Sequence, residues 1–89
     1  MKKTIVIRHK VSDIDAWLKG HEERLALFAP AVKKIKTFQD TDDPKSVILV
    51  VKVKDMEKLG AIINDPKNQA IKDKHTVLEP ITMSMSVDL

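Results

Sequence analysis

His9, His21 and His75, together with Trp17 and Arg8, are the residues whose types and spacing could do chemistry. Imidazole exchanges protons near neutral pH. An indole offers an apolar wall with one N–H donor, and a guanidinium recognises anions. His9 and Trp17 bracket a stretch in which an apolar run meets a helix-start signal with almost no loop between them. At the strand rise His9 lies about 7 Å back from Val11. At the helical rise Trp17 lies about 7 Å into the helix. With strand and helix antiparallel, the two side chains stand at one level, and His21 falls one turn deeper, near Ile7. His75 precedes the last strand, which starts at the same end. The spacing therefore predicts a cluster at a cleft mouth. His9 is its acid/base, or its hydrogen-bond donor to an enolate, and Trp17, His21 and His75 line a ligand.

Each residue has a plainer reading beside this one. A lone Trp on an apolar stripe is ordinarily core. His21 reads as a partly buried histidine with a partner, and His75 as a solvated one. Arg8 falls on the opposite side of its strand, where it binds an anionic ligand or pairs with a carboxylate across an interface. No metal is expected, because the histidines have neither a short-spaced pair nor an acidic partner. Asp40, Asp42 and Asp43 lack the glycine and terminal glutamate of a calcium loop and read as a turn. No serine sits in a nucleophile motif. Gly20 and Gly60 both lie inside predicted helices, so no phosphate loop is present.

The elements that must position these residues follow from patterning. The first strand spans about Lys3–Val11, with Ile5, Ile7, His9 and Val11 on one side and Thr4, Val6, Arg8 and Lys10 on the other. Ser12 offers an N-cap, and Asp13 and Asp15 suit the first turn. The helix runs to about Ala29 and stops before Pro30. Its apolar stripe is Ile14, Trp17, Leu18, Leu25 and Phe28, with His21 inside it. A second strand, about Val32–Thr41, leads through an acidic turn to a third, Ser46–Val53, which is apolar on both faces. Asp55 caps a helix carrying Met56, Leu59, Ile62 and Ile63. Asp65-Pro66 opens a further turn or two. Pro80 breaks the chain, and Ile81–Val87 forms the last strand. The order β-α-β-β-α-β predicts a ferredoxin-like α+β fold: a four-stranded antiparallel sheet, order 4-1-3-2, with its helices on one face.

Composition narrows the function classes. Eighty-nine residues make a single domain over positions 1–89. With 43% hydrophobic and 33% charged residues, the chain is not of the disordered type. The absence of cysteine excludes disulfides and thiolate chemistry and suits the cytoplasm. The apolar run Ile5-Val6-Ile7 is too short for a signal peptide, and no membrane span is expected. A net charge of +3 comes with no aromatic platform for base stacking, so nucleic acid is not an expected partner. The third strand and Val6 bring apolar residues to the sheet face that the helices leave open. Soluble monomers avoid such a patch, which predicts a two-fold homodimer through that face.

The run RHKVSDIDAW, the turn QDTDDPKSV, the strand-to-helix stretch VILVVKVKDMEK and the segment from Pro80 into the last strand together resemble the dimeric α+β barrel superfamily. That group includes antibiotic-biosynthesis monooxygenase-like and stress-responsive barrel proteins, and the resemblance covers nearly the whole chain. It implies a homodimer whose sheets close into a barrel, with a small-molecule pocket between each sheet and its helices. The haem-degrading branch uses an Asn on the first strand, a Trp on the second helix and a His just after. Here the first strand has no Asn and the Trp is on the first helix, so that branch is not implied.

Two functional expectations follow. One is a cofactor-independent monooxygenase-, cyclase- or isomerase-like enzyme acting on a small apolar molecule, with His9 as its proton carrier. The other is a non-catalytic dimer that binds a small hydrophobic ligand or serves in stress. An RNA-binding module of the same topology needs aromatics on the first and third strands, and the third strand has none.

Overall fold

The computed structural model describes residues 3–87 and Leu89. Its elements are β1 (Lys3–Val11), α1 (Ile14–Lys19), α2 (His21–Phe28), β2 (Val32–Gln39), β3 (Ser46–Val53), α3 (Met56–Asn64), a 3-10 turn (Pro66–Asn68), α4 (Gln69–Lys74) and β4 (Val77–Met85). The strands form one antiparallel sheet in the order β2-β3-β1-β4. This is the expected ferredoxin-like arrangement, with β1 and β3 central.

Alternation sorts the sheet into two faces. Ile5, Ile7, His9 and Val11 of β1 are buried together with Val47, Leu49, Val51 and Val53 of β3. Trp17 and Leu59 close this core from the helical side. The other face carries Val6, Ile48 and Val50, all half-buried, flanked by exposed Phe38 and Leu78.

The elements depart from the sequence reading in four places. The N-cap is Asp13 rather than Ser12, and its carboxylate accepts from the Ala16 N–H. Ser12 lies at the bend before it, its N–H donating to the Thr76 carbonyl. The first helix is not one rod but two, broken at Gly20. The buried face therefore runs through Trp17, Gly20 and Arg24, and Leu18 is left exposed. The last strand begins at Val77, before Pro80, not after it. Pro80 is accommodated inside β4 because this is an edge strand whose pairing shifts register between Arg8 and Lys10. β2 ends at Gln39, two residues earlier than expected, where Asp40 turns back on Ser46 and Asp42.

The junctions before α1 and after α4 are tied to each other. Thr76 has φ 59°, in the left-handed region that a β-branched residue rarely adopts. Its hydroxyl accepts from the Asp13 N–H at 3.1 Å and donates to the Asp13 carbonyl at 3.0 Å. Its carbonyl accepts from Ser12. These bonds hold the strained residue in place and, with it, its neighbour His75.

Candidate functional site

His9 and Trp17 meet as the counting of rises predicts. Their ring centroids are 5.9 Å apart with an interplanar angle of 76°, an edge-to-face contact. His9 is 6% exposed and Trp17 is fully buried. Both line a cavity of about 70 Å³ between the sheet and the helices. Ile7 and Leu49 form its floor, and Leu27, Phe28, Ile62 and Ile71 form its walls.

The hydrogen bonds of His9 set its tautomer. Nδ1 lies 3.0 Å from the Lys10 carbonyl, which can only accept, so Nδ1 carries the proton. Nε2 then holds a free lone pair. Burial keeps the imidazole below its ordinary value, and the charge of Arg24 acts in the same direction. The hydrogen bond to Lys10 and the charge of Glu79 oppose this. The neutral base is thus the form present at neutral pH.

His75 joins the same cavity from the end of α4. It is 2% exposed and lies against Gly20. Nδ1 is 3.3 Å from Arg24 Nη1, and Nε2 is 2.7 Å from Glu23 Oε1. A guanidinium only donates, so His75 Nδ1 accepts and Nε2–H donates to the carboxylate. His75 is fixed in the tautomer opposite to that of His9. The hydrogen bond from His75, and then that from Lys74, hold the Glu23 carboxyl below its ordinary value.

Arg24 was not anticipated from the sequence. It is 6% exposed, and its guanidinium carbon lies 4.1 Å from the centre of the Trp17 ring. Burial pushes its pKa down to about 10, still charged at neutral pH. Two donors of this cluster, Trp17 Nε1 and Arg24 Nη2, are buried with no partner among the described residues. The spacing 17-20-24 was a usable signal, since it marks one helical face. An apolar count passes over it because the face contains a glycine and an arginine.

Of the residues singled out from the sequence, His9, Trp17 and His75 come together in one cavity. His21 is half-buried at the start of α2 and does not line it. Arg8 is exposed on the opposite sheet face, beside Thr82. Among the described residues, no group of three His, Asp or Glu side chains is arranged to hold a metal ion.

No family model matches the chain, and no curated protein matches it in sequence. Solved structures do match in fold. The cofactor-independent oxygenase SnoaB from Streptomyces nogalater superposes with a TM-score of 0.73 at 13% identity, over 99% of this chain and 95% of that one. A protein from Bordetella bronchiseptica assigned as an antibiotic biosynthesis monooxygenase gives 0.75 at 13% identity, over 99% and 97%. One from Nitrosomonas europaea, assigned likewise, gives 0.70 at 14% identity, over 99% and 90%. The chain therefore has the fold of antibiotic-biosynthesis monooxygenase-like proteins, within the ferredoxin-like α+β class.

Proposed function

We propose that the protein is a cofactor-independent enzyme that abstracts a proton from a small, largely apolar, enolisable molecule and passes the resulting carbanion to molecular oxygen. The observation that carries this reading is His9: its Nδ1–H is committed to Lys10, and its free Nε2 sits in an apolar cavity beside two unpartnered donors. A neutral imidazole with a free lone pair is what general-base catalysis asks for. The donors suit the negative charge that develops on the enolate oxygen. Nε2 takes a proton from the carbon next to a carbonyl. The carbanion carbon then bonds to O2, and the distal oxygen receives the proton back from His9. Loss of water with the second hydrogen of that carbon leaves a new carbonyl, so CH2 and O2 become C=O and H2O. The fold of SnoaB, described as a cofactor-independent oxygenase, supports the oxygen step.

Cavity size restricts the substrate. In the same measure a water needs roughly 10–15 Å³, and a cavity that binds benzene has about 150 Å³. A space of about 70 Å³ takes a reacting head of a few non-hydrogen atoms. Anything larger lies in the mouth or parts α3 and α4 from the sheet.

A homodimer through the open sheet face completes this reading. Val6, Ile48 and Val50, with Phe38 and Leu78 beside them, support it as an apolar strip that water would otherwise reach. Among the described residues no helix is long and apolar enough to cross a membrane. A chain without cysteine supports a cytoplasmic setting.

The test uses a panel of small ketones, oxo acids and phenols. Hydrogen–deuterium exchange at the acidic carbon under argon reads proton abstraction, and oxygen uptake in air reads the full reaction. His9→Asn keeps the Nδ1-side hydrogen bond and removes the base. It is expected to lower exchange by about 10²-fold or more while leaving the Tm near that of the wild type. Exchange that persists in His9→Asn overturns the assignment of His9. Saturable binding with neither exchange nor uptake supports the non-catalytic ligand-binding protein instead.

A further inference from the structure

The cavity holds a buried cation that no carboxylate of the described residues touches. Arg24 is 6% exposed, and among the described residues Glu23 reaches it only through His75. Lys72 also lines the cavity, with its ammonium donating to the Ile63 carbonyl, and no Asp or Glu lines it. The Trp17 ring face offsets part of the guanidinium charge. Nη2 and the neighbouring indole Nε1 still have hydrogens to donate and no acceptor among the described residues. Two unsatisfied buried donors, one of them charged, carry a desolvation cost that an acceptor placed between them offsets. A carboxylate has two oxygens and one negative charge, and guanidinium and indole N–H groups are the donors that match it.

We propose that Arg24 and Trp17 form a carboxylate-binding end of this cavity, so that its ligand is a small monocarboxylic acid. Where it names the substrate, the proposal rests on the His9 reading: the acid is then a short-chain 3-oxo acid, held by its carboxylate while His9 faces the CH2 between carboxylate and ketone. Residues on three elements build the arrangement, since Trp17 comes from α1, Arg24 from α2 and His9 from β1. His75 acts as a positioning residue. By accepting from Nη1 it fixes the guanidinium plane and leaves Nη2 as the free donor.

The single tryptophan makes the test direct, because the protein has one indole N–H signal in a proton–nitrogen correlation spectrum. Sodium butyrate is titrated against butyramide, with sodium chloride at matched ionic strength as control. Butyrate is expected to move the indole signal saturably, and butyramide and chloride to leave it in place. Arg24→Gln should weaken butyrate binding roughly tenfold or more. Should that variant fail to fold, Trp17→Phe serves instead, read as loss of the butyrate-induced rise in Tm. Equal responses to butyrate and butyramide, or none to either, overturn the proposal. His9→Asn separates the two readings. Butyrate binding retained in a variant that has lost exchange upholds both. Turnover of uncharged ketones without butyrate binding removes the carboxylate end and leaves His9 standing.

Discussion

The ring of His75 lies on the α-carbon side of Gly20, so close that a Cβ there would come within 2.5 Å of Nε2. The ring cannot step aside, because Arg24 and Glu23 hold it at both nitrogens. Gly20 therefore breaks the helix and admits the imidazole to the cavity. By propensity alone Gly→Ala in a helix should stabilise by up to about 1 kcal/mol. At position 20 the opposite is expected: Gly20→Ala destabilises by roughly 1–3 kcal/mol, the usual cost of overpacking. Gly60→Ala is the internal control. Nothing lies within 4 Å of that Cβ, and the full propensity gain should appear. Urea unfolding of the two variants checks both signs.

Burial of His9 has a pH signature. Its imidazole titrates below the ordinary histidine value because charging it inside the cavity is costly. Above pH of about 6.5 both folded and unfolded states are neutral at this position, and the group adds no pH dependence. As the pH falls below that value, the unfolded chain takes up the proton first, and stability is lost until the folded value is reached. The wild-type Tm should therefore fall below that of His9→Asn as the pH drops from about 7 toward 5, starting from near equality at pH 7. A difference that is flat over this range would show that the ring titrates normally. Exchange activity should follow the same group, holding its plateau to a pH below the ordinary histidine value.

Glu23 gives a second, separate limb. Its carboxyl is held below the usual value first by the hydrogen bond from His75 and then by that from Lys74. The stability it contributes is present above the unfolded glutamate value and is lost as the pH falls through the lower folded one. Glu23→Ala removes the acceptor of the His75 Nε2–H, while Arg24 still donates to Nδ1. Long-range imidazole nitrogen spectra should therefore show the Nε2–H tautomer in both the wild type and Glu23→Ala. Appearance of the Nδ1–H tautomer in the variant would mean that Glu23, not Arg24, selects it.

The cluster was half legible in the residues. Counting rises from Val11 in both directions put His9 and Trp17 at one level, since strand and helix rises are fixed by backbone geometry. The sheet order was readable too, because the order β-α-β-β-α-β implies it and the two apolar faces of β3 fit a central place. Arg24 and the break at Gly20 were not. A stripe count rewards apolar residues, whereas this buried face is built from an indole, a glycine and a guanidinium. What makes the glycine necessary is His75, a long-range contact that local sequence does not reveal. The start of β4 at Val77 was hidden for a related reason. Pro80 reads as a breaker until its edge position and the adjacent register shift are known.

Thr76 is expected to be worth more than its half-exposed position suggests. Its hydroxyl both accepts from and donates to Asp13, and its carbonyl holds Ser12. Thr76→Val keeps shape and branching and removes the two hydroxyl bonds. A loss of roughly 1–3 kcal/mol is expected by chemical denaturation. A loss below about 0.5 kcal/mol would place the clamp in the backbone bonds alone.

The open sheet face sets apolar attraction against charge. Val6, Ile48 and Val50 lie at its centre, while Arg8, Lys10, Lys34, Lys36 and Lys52 share the same side by register. Asp43 pairs with Lys10 at 3.5 Å, and Lys36 rests over the Phe38 ring at 5.4 Å. Two copies packed through this face bring like charges together, a repulsion that salt screens within about 10 Å at 0.1 M and about 3 Å at 1 M. The apolar contribution is unaffected by screening, so dimerisation should strengthen as sodium chloride rises from about 0.05 to about 0.5 M. Most salt-sensitive assemblies between oppositely charged partners weaken instead, which makes the direction diagnostic. Sedimentation equilibrium at micromolar concentration reads it. Val50→Asp, at the middle of the strip, should give a monomer at every salt concentration while the buried core on the other face stays intact. A wild-type protein that is monomeric throughout would exclude this face as the interface.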